Sequence, residues 1–243
     1  MEAERGGGMQ YQNIFRRYEL KYLLTPEQKA RVLAVMEDHM ALDKYGRTTI
    51  RNLYLDTDHY RLIRRSIEKP TYKEKLRIRS YSKALPGQPV FVELKKKYKG
   101  VVYKRRLAMP EQDALDWLLG GSSPPNSQIG REIDYFRSYY GDLTPKVFLS
   151  YDREAYYSSR QKDFRVTFDD KILCRREALS LNTDPWGEPI LDSGLTLMEI
   201  KTAGGMPLWM TDVLTREQIY KASYSKYGTA YEKQIFKEVF VHA

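Results

Sequence analysis

The chain is poor in the residues from which most enzyme mechanisms start. Its 243 residues include one cysteine, Cys174, and three scattered histidines, His39, His59 and His242. One cysteine excludes an intramolecular disulfide and fits a reducing compartment. The histidines offer no start for a His/Cys metal site or for a nucleophile activated by an imidazole. No apolar run approaches the roughly 20 residues that cross a bilayer. Residues 1–8 are polar and glycine-rich and lack the apolar stretch of a signal peptide, so residues 1–10 read as a disordered start. Glycine-rich phosphate loops are missing too. There is no Walker A pattern and no Gly-x-Gly-x-x-Gly, and Gly204-Gly205 reads as a turn.

What is present is charge and β-periodicity. Apolar residues make up 42% of the chain and charged residues 30%, which is a globular composition. The length suits one large domain with a sizeable core, expected over residues 11–243. The net charge of +9 points to an anionic partner: phosphates, nucleic acid or an acidic membrane surface.

Strand-like alternation recurs along the chain. Residues 15–24 set Arg17, Glu19 and Lys21 against Tyr18, Leu20 and Tyr22. Residues 72–81 set Lys73, Lys75, Arg77 and Arg79 against Leu76 and Ile78. Residues 90–97 set Glu93 and Lys95 against Val92 and Leu94. Residues 164–170 set Arg165, Thr167 and Asp169 against Val166 and Phe168, and residues 195–201 set Glu199 and Lys201 against Met198 and Ile200. Further strands are predicted over 48–56, 101–108 and 146–157. A helix is predicted from Thr25-Pro26, an N-cap and N1 pair, to Met40. Others are expected over 110–119, 128–140 and 224–236, with short pieces over 59–65 and 206–214.

One face of strand after strand is thus dense in Arg, Lys and Glu. An open sheet with a solvated charged face satisfies this pattern. So does a closed barrel with charge inside and helices outside, whose lumen must then hold water or a charged ligand, because unpaired buried charge is costly.

Arg77 and Arg79, two apart on a strand, project to the same side roughly 7 Å from one another. Two adjacent guanidiniums repel unless an anion bridges them, and their forked donors match phosphate oxygens. An isolated pair would be solvated arginines, but Lys21, Lys95, Arg153, Arg165 and Lys201 recur on strand patterns with the same logic. Glu19, Glu93 and Glu199 each precede a lysine by two residues. That spacing gives either a same-face ion pair, worth little when exposed, or a carboxylate that holds a divalent cation beside phosphate-binding lysines. The 20 tyrosines suit strands better than stacking on single-stranded nucleic acid.

The ordered segments FRRYELKYLL (15–24), IRNLYLDT (50–57), KEKLRIRSY (73–81), VFVELKKK (90–97), YDREAYY (151–157), FRVTFDD (164–170), LMEIKT (197–202) and SYSKYGTA (223–230) resemble the VTC domain. This is the polyphosphate polymerase domain of the triphosphate tunnel group, related to CYTH phosphatases. The resemblance implies an α+β fold, a closed antiparallel β-barrel with a charged lumen covered by helices. It implies catalytic roles for Arg77, Arg79, Lys95 and Lys201. Lys21, Lys104, Arg153, Arg165, Ser225 and Lys226 would bind phosphate, Tyr151 would stack on a nucleotide base, and Glu199 would hold Mn2+ or Mg2+. The wider CYTH group opens on Glu-x-Glu-x-Lys, where this chain has Arg17, Glu19 and Lys21. The lost carboxylate turns the expectation from a two-metal triphosphatase towards the VTC branch.

The implied activity is transfer of the γ-phosphoryl group of ATP to inorganic polyphosphate. The alternatives are hydrolysis of triphosphate or polyphosphate in the same tunnel, and non-catalytic binding of polyphosphate or inositol phosphates. A nucleic-acid module ranks last, because a lumen admits only a thin chain. Eukaryotic relatives carry SPX and transmembrane modules that are not seen in this sequence. The expected setting is therefore cytoplasmic, alone or beside a separate membrane partner.

Overall fold

The computed structural model of the chain describes residues 18–99 and 101–236. The elements follow in order as β1 (Tyr18–Leu24), α1 (Pro26–Met36), β2 (Met40–Leu42), β3 (Thr48–Asp56), α2 (Arg61–Ile67), β4 (Tyr72–Ser80), β5 (Pro89–Tyr98) and β6 (Val101–Pro110). After these come α3 (Glu111–Leu118), α4 (Gln128–Tyr140), β7 (Thr144–Ser158), β8 (Arg165–Arg175), β9 (Glu188–Pro189), β10 (Thr196–Thr202), α5 (Leu208–Arg216) and α6 (Lys226–Ala230), the last running into a π-turn over Tyr231–Ile235. The predicted start of the first strand, including Arg17, lies outside the described residues, as do residues 1–10 and His242.

The strands form one antiparallel sheet in the order β1-β10-β8-β7-β3-β4-β5-β6, with β2 and β9 as short additions on β7 and β8. Its apolar outer face is covered on two flanks. Leu76, Ile78, Val92 and Leu94 pack with Trp117 of α3 and Ile133 and Phe136 of α4. Val166, Phe168, Met198 and Ile200 pack with Val32 and Met36 of α1 and Met210 and Val213 of α5. A third cluster joins Tyr54, Tyr151 and Leu149 to Ile63 of α2 and to Tyr227 and Ala230 of α6.

The expectation of a closed barrel is corrected: among the described residues β1 and β6 do not pair, so the sheet is curled but open. Both edges have a physical reason. The free edge of β1 is already taken, since the Ala222 N–H donates to the Lys21 carbonyl at 2.7 Å and Lys221 bridges Tyr22. The free edge of β6 carries Lys104, Arg105 and Arg106 in succession, and such edge charge disfavours addition of a strand.

The predicted first helix also stops early. Its start is as read. Thr25 Oγ1 accepts from Gln28 N, Gln28 Oε1 accepts from Thr25 N, and Pro26 opens the first turn. Its end is at Met36 rather than Met40, because Met40–Leu42 pairs with Tyr156–Ser158 of β7. Met40 is still buried, but from a strand.

Candidate functional site

The inner face of the curled sheet holds a narrow cavity of about 130 Å³. It is lined from β1, β3, β4, β5, β7 and β10 and from the start of α6. Eight lining side chains are cationic (Lys21, Lys75, Arg77, Arg79, Lys95, Arg153, Lys201 and Lys226) and two, Glu19 and Glu199, are carboxylates. Even with Glu93 and Asp169 behind the lining, basic residues outnumber carboxylates here eight to four, an excess that suits an anion.

Alternation on β4 sends Leu76 and Ile78 into the outer core and Arg77 and Arg79 into the cavity. Arg77 donates through Nε and Nη2 to Glu93 at 2.9 and 2.7 Å, and through Nη1 to the Tyr54 hydroxyl at 3.0 Å. Arg79 donates to Asn52 at 2.9 Å and to the Tyr151 hydroxyl at 3.0 Å. Glu93, almost fully buried on β5, also meets Lys104 at 2.6 Å and Arg106 Nε at 2.7 Å. Burial pushes the Glu93 carboxyl up, but Arg77, Arg79 and Lys104 outweigh it and hold the group well below the usual carboxylate range.

A second focus lies where β7, β8 and β10 meet α6. Arg153 forks onto Asp169 with two contacts of 2.6 Å. Lys226 lies 2.5 Å from Asp169 and 3.2 Å from Glu199. Lys21 is 3.5 Å and Lys201 3.9 Å from Glu199. Burial opposes charge on Glu199 and Asp169, yet Lys226 and its cationic neighbours keep both carboxyls low. The two carboxylates reciprocally keep the Lys226 ammonium above its ordinary range despite burial. At the entrance to α6, Ser225 Oγ accepts from Gly228 N at 3.1 Å and from Lys75 Nζ at 2.9 Å.

Of the residues singled out from sequence, Lys21, Arg77, Arg79, Lys95, Tyr151, Arg153, Glu199, Lys201, Ser225 and Lys226 all line this one cavity. Two do not. Lys104 sits on the edge strand against Glu93. Arg165 lies at the exposed start of β8, with its guanidinium 4.7 Å from the Tyr157 ring. Tyr151 is 3% exposed, and both Lys226 (4.6 Å) and Arg153 (5.0 Å) approach its ring. Sequence reasoning left out Lys75, Asp169, Tyr54 and Tyr227. Lys75 and Asp169 were legible, since each shares strand parity with a residue already chosen.

No group of three His, Cys, Asp or Glu side chains placed for a metal occurs among the described residues. The donor set fits an ion that arrives with phosphate. Mg2+ is commonly held by one or two carboxylates plus substrate oxygens, and Glu199 supplies one carboxylate inside the cavity. A larger cleft of about 750 Å³ lies elsewhere, beside Trp186 and Cys174. Its Lys146 and Lys233 are paired with Asp58 and Asp192.

An antiparallel sheet curled around a cation-lined channel defines a tunnel-type, phosphate-handling protein. The chain belongs to the VTC domain family, whose profile matches residues 16–235. Among solved structures it is similar to a candidate adenylate cyclase from Bacillus halodurans (15% identity, TM-score 0.55, 90% of this chain and 99% of that one). It is also similar to a candidate adenylyl cyclase from Hippeastrum, described as having a dominant triphosphatase activity (16% identity, TM-score 0.54, 90% and 96%). At these identities the likeness is one of fold. No curated protein sequence matches the chain.

Proposed function

We propose that the tunnel transfers the γ-phosphoryl group of ATP onto the end of a polyphosphate chain. The observation that carries this reading is the lining itself: eight cations in a narrow cavity without a histidine or cysteine. A terminal phosphate oxygen is already anionic, so it needs no general base to become a nucleophile. It would form a bond to the γ-phosphorus while the bond from that phosphorus to the β,γ-bridging oxygen breaks, and ADP leaves. No proton has to move. The obstacles are charge repulsion and alignment, which are what fixed cations address.

Arg77 suits this role because Glu93 and Tyr54 clamp its fork and keep it charged. Lys226 and Arg153, held between Asp169 and Glu199, would contact phosphates on the opposite wall. Glu199 would hold a divalent cation, Mn2+ or Mg2+, which when bound supplies charge neutralisation for the leaving phosphates.

Hydrolysis is the second reading, favoured by the triphosphatase activity described for the Hippeastrum protein. It needs a base to activate water. Lys95, Lys201 and Lys21 overcome burial to hold Glu19 at about 2, and Glu93 is also held low. Carboxylates this acidic are weak bases, which supports transfer over hydrolysis.

The test uses γ-labelled ATP with a tripolyphosphate primer. Label should enter chains longer than the primer, and Arg77→Glu or Glu199→Gln should reduce that incorporation by at least about 100-fold. Incorporation at the wild-type rate in either variant would refute the assignment.

A further inference from the structure

We propose that Lys75 is the anchoring cation of the tunnel, the side chain whose counter-charge is supplied by the arriving phosphate chain and not by the protein. This rests on the reading of the cavity as a phosphate tunnel and adds to it a residue and a coupled proton.

The geometry sets Lys75 apart from the other lining cations. Lys21 and Lys95 meet Glu19; Arg77 and Arg79 meet Glu93; Arg153, Lys201 and Lys226 meet Asp169 or Glu199, all within 4.0 Å. Among the described residues Lys75 makes no such ion pair. Its one hydrogen bond is to the neutral Ser225 hydroxyl, 2.9 Å away.

The groups packed around it do not help. Lys21 of β1 and Lys95 of β5 are cations, as are Lys73 and Arg77 on its own strand. Glu19 of β1 is engaged by Lys95. Asp56, at the end of β3, accepts from the backbone of Thr57, Leu62 and Ile63 and from the Tyr227 hydroxyl. Lys226 of α6 is committed to Asp169. An ammonium set among cations, with a hydroxyl as its only partner among the described residues, is a poor structural element and a good receptor for an anion.

Burial, reinforced by Lys21, Lys95, Lys73 and Arg77, pushes the Lys75 ammonium down to about 7. In the free protein at pH 8 it is therefore mostly neutral. A phosphate oxygen beside Nζ favours the charged form, so binding at pH 8 should draw a proton onto Lys75. Any proton that tripolyphosphate itself gains or loses on binding is common to the proteins compared below.

The experiment is titration calorimetry of tripolyphosphate at pH 8, run in buffers of different ionisation enthalpy. Wild type, K75R and K75M are compared. Lys104 and Lys201, also lowered by burial, contribute uptake common to all three proteins, so the readout is the difference between them. Wild type should take up close to one proton more than K75R, whose guanidinium is charged throughout. K75M should bind about 10- to 100-fold more weakly.

The same K75M variant should raise the Tm of the free protein at pH 6, where wild-type Lys75 is charged and unpaired. A lysine retained for structure would give a lower Tm. Equal proton uptake by wild type and K75R, or equal affinity of wild type and K75M, would overturn the proposal. If tripolyphosphate fails to bind wild type at all, the phosphate-tunnel reading falls first and this inference falls with it.

Discussion

Lys95 of β5 reaches Glu19 of β1 with Nζ 3.2 Å from Oε2, across an opening that no strand pairing spans among the described residues. The two flanks of the curled sheet thus meet through side chains where their backbones do not. A seam made of ion pairs can respond to a polyanion, because the cation in each pair can exchange its partner.

This contact gives the fold an acid-sensitive element. Burial raises the Glu19 carboxyl, but Lys95, Lys201 and Lys21 outweigh it and bring it to about 2, below its ordinary 4.5. A depressed folded-state pKa contributes stability that is fully present above the unfolded value and lost as pH falls through the folded one. E19Q should therefore flatten the loss of stability between about pH 4.5 and 2. The effect is on the order of 1 kcal/mol, because Lys95 is 38% exposed and the pair is screened. Acid denaturation followed by circular dichroism checks this.

Glu93 is a heavily loaded carboxylate, with Arg77, Lys104 and Arg106 all in contact. E93A leaves these cations without their carboxylate and should destabilise the protein by about 2–4 kcal/mol. Tripolyphosphate should raise the Tm of E93A by more than that of wild type, since an added anion stabilises by mass action and here also replaces a missing charge. Equal shifts in the two proteins would mean that the anion binds away from Arg77.

Away from the tunnel, the reciprocal cap on α1 sets a local test. T25A removes the acceptor for Gln28 N. It should cost about 1 kcal/mol, a fall in Tm of about 2–4 °C for a protein of this size, with phosphate binding unchanged.

Much of this architecture was legible because the two faces of the sheet demand opposite chemistry. Period-two alternation put Leu76 and Ile78 on one face and Arg77 and Arg79 on the other without knowledge of the strand order, and the family resemblance implied which face is the inner one. In the structure the same alternation on β5 turns Lys96 away from Lys95, to within 3.7 Å of Glu74. The capping signal of Thr25-Pro26 depends on four consecutive residues and could be read directly.

What periodicity does not carry is anything set between distant segments. Whether β1 meets β6 depends on Lys221 and Ala222, some 200 residues from β1, occupying its edge. The early end of α1 depends on Met40 finding Ser158. The π-turn after α6 replaced the regular helix expected there. Lys75 was overlooked for a different reason. It shares the parity of Arg77, but its lack of a carboxylate partner can be seen only once the other lining residues have been placed around it.

The most direct measurement of the central claim is the fate of the γ-phosphate when the purified protein is incubated with ATP and Mn2+ or Mg2+. Polyphosphate is resolved on a gel, and ADP and free phosphate are quantified in parallel. The account predicts a ladder of long chains with ADP formed in step and little free phosphate. Stoichiometric free phosphate without a ladder would contradict it and assign the tunnel to hydrolysis.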